Sequence, residues 1–183
     1  MIACIGWGSL IWDMGNLDVD GNWRTDGPML PVEFARQSSN GRITLVLVKG
    51  AAPVPTLWSA FNTRDLARAR ESLRQREGVL RSRADDLIAH WRRRENAASE
   101  PDATVSRWAA GRDLEAAVWT SLPPKFAGAD GRIPTEVEVV AYLQGLEGET
   151  RVAAERYIRR TPPQIATAYR RAIEGALGWT PIG

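Results

Sequence analysis

The chain has 183 residues, a quarter of them charged, and its 24 Lys and Arg against 22 Asp and Glu leave a formal net charge of only +2. That length accommodates one domain (1–183) with a substantial core, and the charge balance gives no electrostatic footprint for a nucleic acid or an anionic membrane. A single cysteine forbids an internal disulfide, and one histidine with one cysteine cannot assemble the zinc patterns built on repeated Cys and His.

In chain order, the apolar run Ile2-Ala3-Cys4-Ile5 reads as a short buried strand ending at Gly6, with Cys4 as a small buried hydrophobe. The N-terminus lacks the basic region and long apolar stretch of a signal peptide, and no run of about 20 apolar residues occurs, so a cytoplasmic protein is expected. Residues 13–31, rich in Gly, Asn and Asp, read as a long loop. Within it, Asp18-Val19-Asp20-Gly21-Asn22 has its glycine one place early for a calcium loop and no closing glutamate, which makes it a turn cluster.

Strands follow near Val32–Arg36 and Ile43–Lys49, divided by an Asn40-Gly41 turn, and a fourth runs from Thr56 to Phe61. The period then changes. Asn62 or Thr63 caps a helix in which Leu66, Ala69 and Leu73 recur at helical spacing, and Gly78 stops it. Glu77 therefore sits in the last turn, where an acid opposes the helix dipole. Such a departure from a local rule is where function concentrates, although Arg70, Arg74 and Arg76 lie close enough to make the same stretch an ordinary solvated face.

A second helix is expected over Arg83–Arg94, carrying His90 and turning Leu87, Ile88 and Trp91 inward; then a polar link over Glu95–Asp102 and a last strand over Leu114–Thr120, before Pro123-Pro124. The remainder reads as helical, with capping boxes at Thr135–Glu138 and Thr161–Gln164. The eight tryptophans follow no spacing and read as core or pocket wall. The whole is α+β: a small mixed sheet or barrel built first, then packed with helices, with a helical C-terminal part.

Four landmarks occur in an order with a precedent. Gly6-Trp7-Gly8-Ser9-Leu10-Ile11-Trp12, then Phe34-Ala35-Arg36-Gln37-Ser38 with Gly41-Arg42-Ile43-Thr44-Leu45-Val46, then Leu57-Trp58-Ser59-Ala60-Phe61, then Leu73-Arg74-Gln75-Arg76-Glu77-Gly78-Val79 resemble the γ-glutamylcyclotransferase-like superfamily, nearest its ChaC branch. The likeness covers residues 2–80. It departs where the motif tyrosine is Trp7, which keeps a ring and loses a hydroxyl, and where a strand glycine is Ser59.

The resemblance implies that family's fold and cleavage of a γ-glutamyl amide by intramolecular cyclisation, giving 5-oxoproline and an amine. No metal and no cofactor are implied. The partner is a small γ-glutamyl substrate, not a nucleic acid or membrane, and the oligomeric state stays open. Glu77 would be the catalytic base and acid. Amides of Trp7, Gly8, Ser9 and Leu10 would bind a carboxylate or oxyanion, with Arg36 as a further candidate for a substrate carboxylate. The residue types agree with this, because the substrate's own α-amino group is the nucleophile and no Ser-His or Cys-His pair is needed. Two alternatives stay open: a non-catalytic module binding a small carboxylate or a protein on the same scaffold, and an RNA-associated protein using the arginines of 70–94, where Glu71, Glu77, Asp85 and Asp86 blunt the charge.

Overall fold

A computed structural model of the chain describes residues 1–93 and 100–182. In order they form β1 (Ile2–Gly6), a 3-10 turn (Ser9–Ile11), β2 (Met29–Leu30), β3 (Val32–Gln37), β4 (Ile43–Leu47), β5 (Val54–Pro55), β6 (Leu57–Ala60), α1 (Leu66–Arg76), a second 3-10 turn (Arg81–Arg83) and α2 (Ala84–Leu87). The chain continues through β7 (Ile88–Arg92), α3 (Asp102–Ala110), β8 (Ala116–Thr120), β9 (Lys125–Phe126), β10 (Ala129–Asp130), α4 (Glu136–Gln144), α5 (Gly148–Arg160) and α6 (Ala168–Leu177). The fold is α+β. Its four-stranded sheets are separate, with no closed barrel among the described residues, which corrects the barrel half of the sequence expectation.

The chain divides into two compact units whose segments alternate in sequence. The first comprises Met1–Gly6, Leu10–Leu30 and Pro55–Leu122. Its sheet has the order β6-β1-β8-β7, with β1 antiparallel to β6 and parallel to β8. Hydrogen-bonded along both edges, β1 is buried at all five positions, which is why its sequence runs apolar without alternating. Ile2 and Cys4 point to the face that α1 covers with Ala69 and Leu73, in a cluster that also holds Leu10, Phe61, Val79, Ile88 and Val118.

Asp65, not Asn62 or Thr63, caps α1: its carboxylate accepts from the amides of Ala67 (2.8 Å) and Arg68 (3.4 Å), while Thr63 Oγ1 accepts from the Asp65 amide. At the other end Gly78 adopts a left-handed φ of +64°. Its amide donates to Gln75 O, that of Val79 donates to Arg74 O, and Val79 packs in the same cluster as Leu73. This is a Schellman closure with its hydrophobic contact.

The expected helix over 83–94 is not there. After the single turn of α2 the chain pairs as β7 with the edge of β8, Ile88 opposite Thr120 and His90 opposite Val118. The positions of Leu87, Ile88 and Trp91 fit a helical face, but β8 offers five residues of backbone partners, and tertiary pairing overrides local spacing. Arg94 and the expected polar link from Glu95 to Ser99 lie outside the described residues.

The 13–31 segment is irregular, as expected, but it is tied down within this unit. Arg24 and Trp58 exchange backbone hydrogen bonds, and the Arg24 guanidinium lies over the Trp58 ring. The Asp26 carboxylate accepts from Trp58 Nε1 (2.8 Å) and Arg112 Nη2 (2.7 Å), and Trp108 Nε1 donates to Asp26 O.

The second unit comprises Trp7–Ser9, Pro31–Val54 and Pro123–Gly183. Its sheet has the order β10-β9-β3-β4. The β3–β4 hairpin turns through Asn40-Gly41, and a bulge interrupts its register between Phe34 and Arg36. Two strands follow Pro123-Pro124, so β8 is not the last: β9 and β10 pair around Ala127-Gly128, both at positive φ, and β9 joins β3 at Arg36. Strands of two residues are too short to leave a periodic signal.

The capping box at Thr135 and Glu138 forms and starts α4. The one at Thr161 does not. Thr161 ends α5 with its hydroxyl donating to Tyr157 O, and the buried Arg170 guanidinium gathers the carbonyls of Thr161, Pro162 and Ile165 into a turn. Thr167 caps α6 instead. Its hydroxyl donates to Glu33 of β3, whose carboxylate also accepts from the Phe34 and Tyr169 amides.

Leu73 is fully buried where α1 meets the first sheet. Leu73→Ala should lower unfolding free energy by about 2–5 kcal/mol, measured by urea denaturation; a cost under about 1 kcal/mol would mean that α1 does not close this core.

Candidate functional site

Glu77 is the C-cap of α1, the residue before left-handed Gly78. The three arginines around it divide their work. Arg70 pairs with Asp85 (2.7 Å), Arg74 with Glu71 (2.8 Å), and Arg76 Nη1 donates to Glu77 Oε1 at 3.1 Å. The last pair is largely withdrawn from water, with side chains 14% and 16% exposed, so Glu77 is not on a solvated face. The rest of the Arg76 fork turns to the main chain: Nε and Nη2 donate to Asp13 O at 3.1 and 2.6 Å.

Burial raises the pKa of Glu77 above its ordinary value, against the opposing pull of Arg76. The carboxylate also acts on β1. Cys4 is fully buried, and burial first, then the charge of Glu77, push its thiol far up. A neutral, enclosed thiol is no nucleophile.

In the second unit Trp7, Gly8 and Ser9 form a turn against β4 and α5. Trp7 is buried, and its indole Nε1 donates to Leu45 O at 3.3 Å. The Leu45 amide donates in turn to Tyr157 Oη at 3.3 Å. A Cβ on Gly8 would lie 2.6 Å from that same hydroxyl, so the turn needs glycine for a close approach. Tyr157 is held by the edge of Phe34 and by the Arg42 guanidinium over its ring.

Tyr157 is the residue that sequence reasoning missed. It places a phenol beside Gly8, next in sequence to the Trp7 that lacks one. Its spacing with Ala154 and Ile158 on the buried face of α5 reads as core, and nothing local distinguishes it.

The remaining candidates fall as follows. Leu10 is buried in the core cluster of the first unit, the unit that also holds Glu77. Arg36, in the second unit with Trp7, Gly8 and Ser9, donates through Nη1 to Pro123 O at 2.6 Å and stands 4.0 Å from Asp130. His90 lies on β7, not on a helix. Among the described residues no three His, Cys, Asp or Glu side chains gather as metal ligands would, and no helix is long and apolar enough to cross a membrane. A depression of about 380 Å³ in the first unit is lined by Met1, Phe61, Arg64 and Asp113 among others, and by none of the candidates.

No protein-family model, no curated protein and no solved structure matches the chain.

Two measurements test this geometry. Gly8→Ala should cost about 1–3 kcal/mol through the clash with the Tyr157 hydroxyl, and Tyr157→Phe should recover much of that loss; additive costs in the double variant would refute the close approach. For Glu77, a folded pKa raised above the unfolded one means that the native state keeps a proton the unfolded chain has lost. The stabilisation is full below the unfolded value and disappears as pH rises through the folded one. Glu33, also raised by burial, has the same sign, so the informative quantity is a difference. The Tm of Glu77→Gln minus that of the wild type should grow from roughly pH 4 to pH 7, and a constant difference would contradict the burial of the charge.

Proposed function

We propose that the chain is a γ-glutamylcyclotransferase-type enzyme, with the fold that its resemblance implies, cleaving a γ-glutamyl amide such as glutathione, a γ-glutamyl amino acid or a γ-glutamylamine. The observation that carries the reading is Glu77: an enclosed carboxylate at the end of α1, with a raised pKa and the Arg76 guanidinium beside it. Such an acid suits a group that must take up and release a proton.

The reaction asks for little else. The substrate's α-ammonium gives its proton to Glu77; the freed amine attacks the γ-carbonyl carbon, forming the ring C–N bond. Collapse of the tetrahedral intermediate breaks the original amide C–N bond as Glu77 returns the proton to the departing nitrogen, and the second proton of the attacking nitrogen passes to the released amine, which leaves as its ammonium beside the neutral lactam. One carboxylate serves both transfers. By the resemblance, the amides of Trp7, Gly8, Ser9 and Leu10 are the candidate donors to the carboxylate or oxyanion. Arg36, whose Nη1 donates to Pro123 O, is the further candidate for a substrate carboxylate.

Incubation with those three substrate classes should release 5-oxoproline. Glu77→Gln should lose about 10²–10⁴-fold in kcat with KM and fold retained. Wild-type turnover by Glu77→Gln would overturn the assignment of Glu77. Absence of 5-oxoproline from every class, with retained binding of a γ-glutamyl ligand, would favour the non-catalytic carboxylate-binding module.

A further inference from the structure

Arg76 and Glu77 are neighbours in sequence, and neighbours on a helix point about 100° apart, so their pairing is not what a helix provides by default. It needs a third point. That point is the Asp13 carbonyl, which holds Nε and Nη2 of the guanidinium and leaves Nη1 aimed at Glu77 Oε1. Because the five donors of a guanidinium form a rigid plane, fixing two of its nitrogens on one oxygen fixes the third.

We infer that Arg76 is the positioning residue for Glu77: its planar fork ties the carboxylate at the end of α1 to the main chain at Asp13 and sets which carboxylate oxygen faces the guanidinium. The inference rests on the proposed function only in calling that carboxylate the base.

Among the described residues, Arg76 acts on Glu77 from α1, and Glu77 in turn acts on the Cys4 thiol of β1. Arg74, two residues before Arg76, is occupied with Glu71. Burial drives the carboxyl toward its neutral form, in which it cannot accept a proton, and Arg76 opposes this. Charge alone does not specify the arrangement. A lysine carries the same charge as a single point and cannot hold Asp13 O and Glu77 in one plane.

The test is a carboxyl-carbon NMR titration of Glu77 in the full chain, with Glu77→Gln assigning the resonance. In Arg76→Gln the midpoint should rise by about 1 pH unit or more. In Arg76→Lys it should rise by a smaller amount, about a few tenths of a unit. A wild-type midpoint in Arg76→Gln overturns the inference. If that variant does not fold, a wild-type midpoint in Arg76→Lys overturns it equally. Neither readout needs turnover, so a shifted titration in a chain that releases no 5-oxoproline would sink the proposed function and leave Arg76 as the positioning residue.

Discussion

The first unit depends on β1 being bonded along both edges. With β6 on one side and β8 on the other, its backbone has no freedom to slip, because a shift of one residue would exchange the face carrying Ile2 and Cys4 for the face carrying Ala3 and Ile5. The register fixes where α1 lies, and α1 fixes where its last residue ends. It also fixes the exit of the chain. At Gly6 a Cβ would stand 2.8 Å from the Trp23 ring, so the strand leaves the sheet at a position only glycine fills without displacing a neighbour.

The end of α1 separates closure from chemistry. The Schellman bonds run through the backbones of Gly78 and Val79, and the accompanying apolar contact is made by Val79 and Leu73. None of this uses the side chain of Glu77. The helix closure therefore does not depend on the Glu77 side chain, and the fold tolerates there an acid that costs it twice, against the helix dipole and against burial. A position that the fold does not need and that is held at some cost is the kind at which activity is placed.

What could be read from the letters was whatever local chemistry dictates. The buried first strand, the Asn40-Gly41 hairpin, the Gly78 stop and the Thr135 capping box each depend on residues within a few positions of one another. Two of the misreadings involve partners further along the chain. Ile88–Arg92 became a strand because β8 lies beside it, and Thr161 failed as a cap because Arg170 claims its carbonyl. The site shows the same division. Glu77 stands out in the letters because it breaks a local rule, whereas Tyr157 obeys every rule of a buried helix face and differs only in what lies against it 149 positions earlier, at Gly8.

The near-zero net charge conceals how the arginines are used. Arg81 and Arg83, with side chains 81% and 57% exposed, pair with Glu71 and Asp86 at the surface, where such contacts contribute about 0–1 kcal/mol. Arg24 and Arg112 cover Trp58 and Trp108, and Arg36 and Arg170 hold carbonyls. The basic stretch that begins at Arg70 is thus neutralised locally by Glu71, Asp85 and Asp86, while some tryptophans serve to anchor the 13–31 segment. Arg76 differs from its surface neighbours by being enclosed together with its acid. In that setting a charge pair does less for the stability of the fold than for the protonation state of the carboxylate it holds, since burial weakens the ionised form and amplifies whatever opposes that weakening.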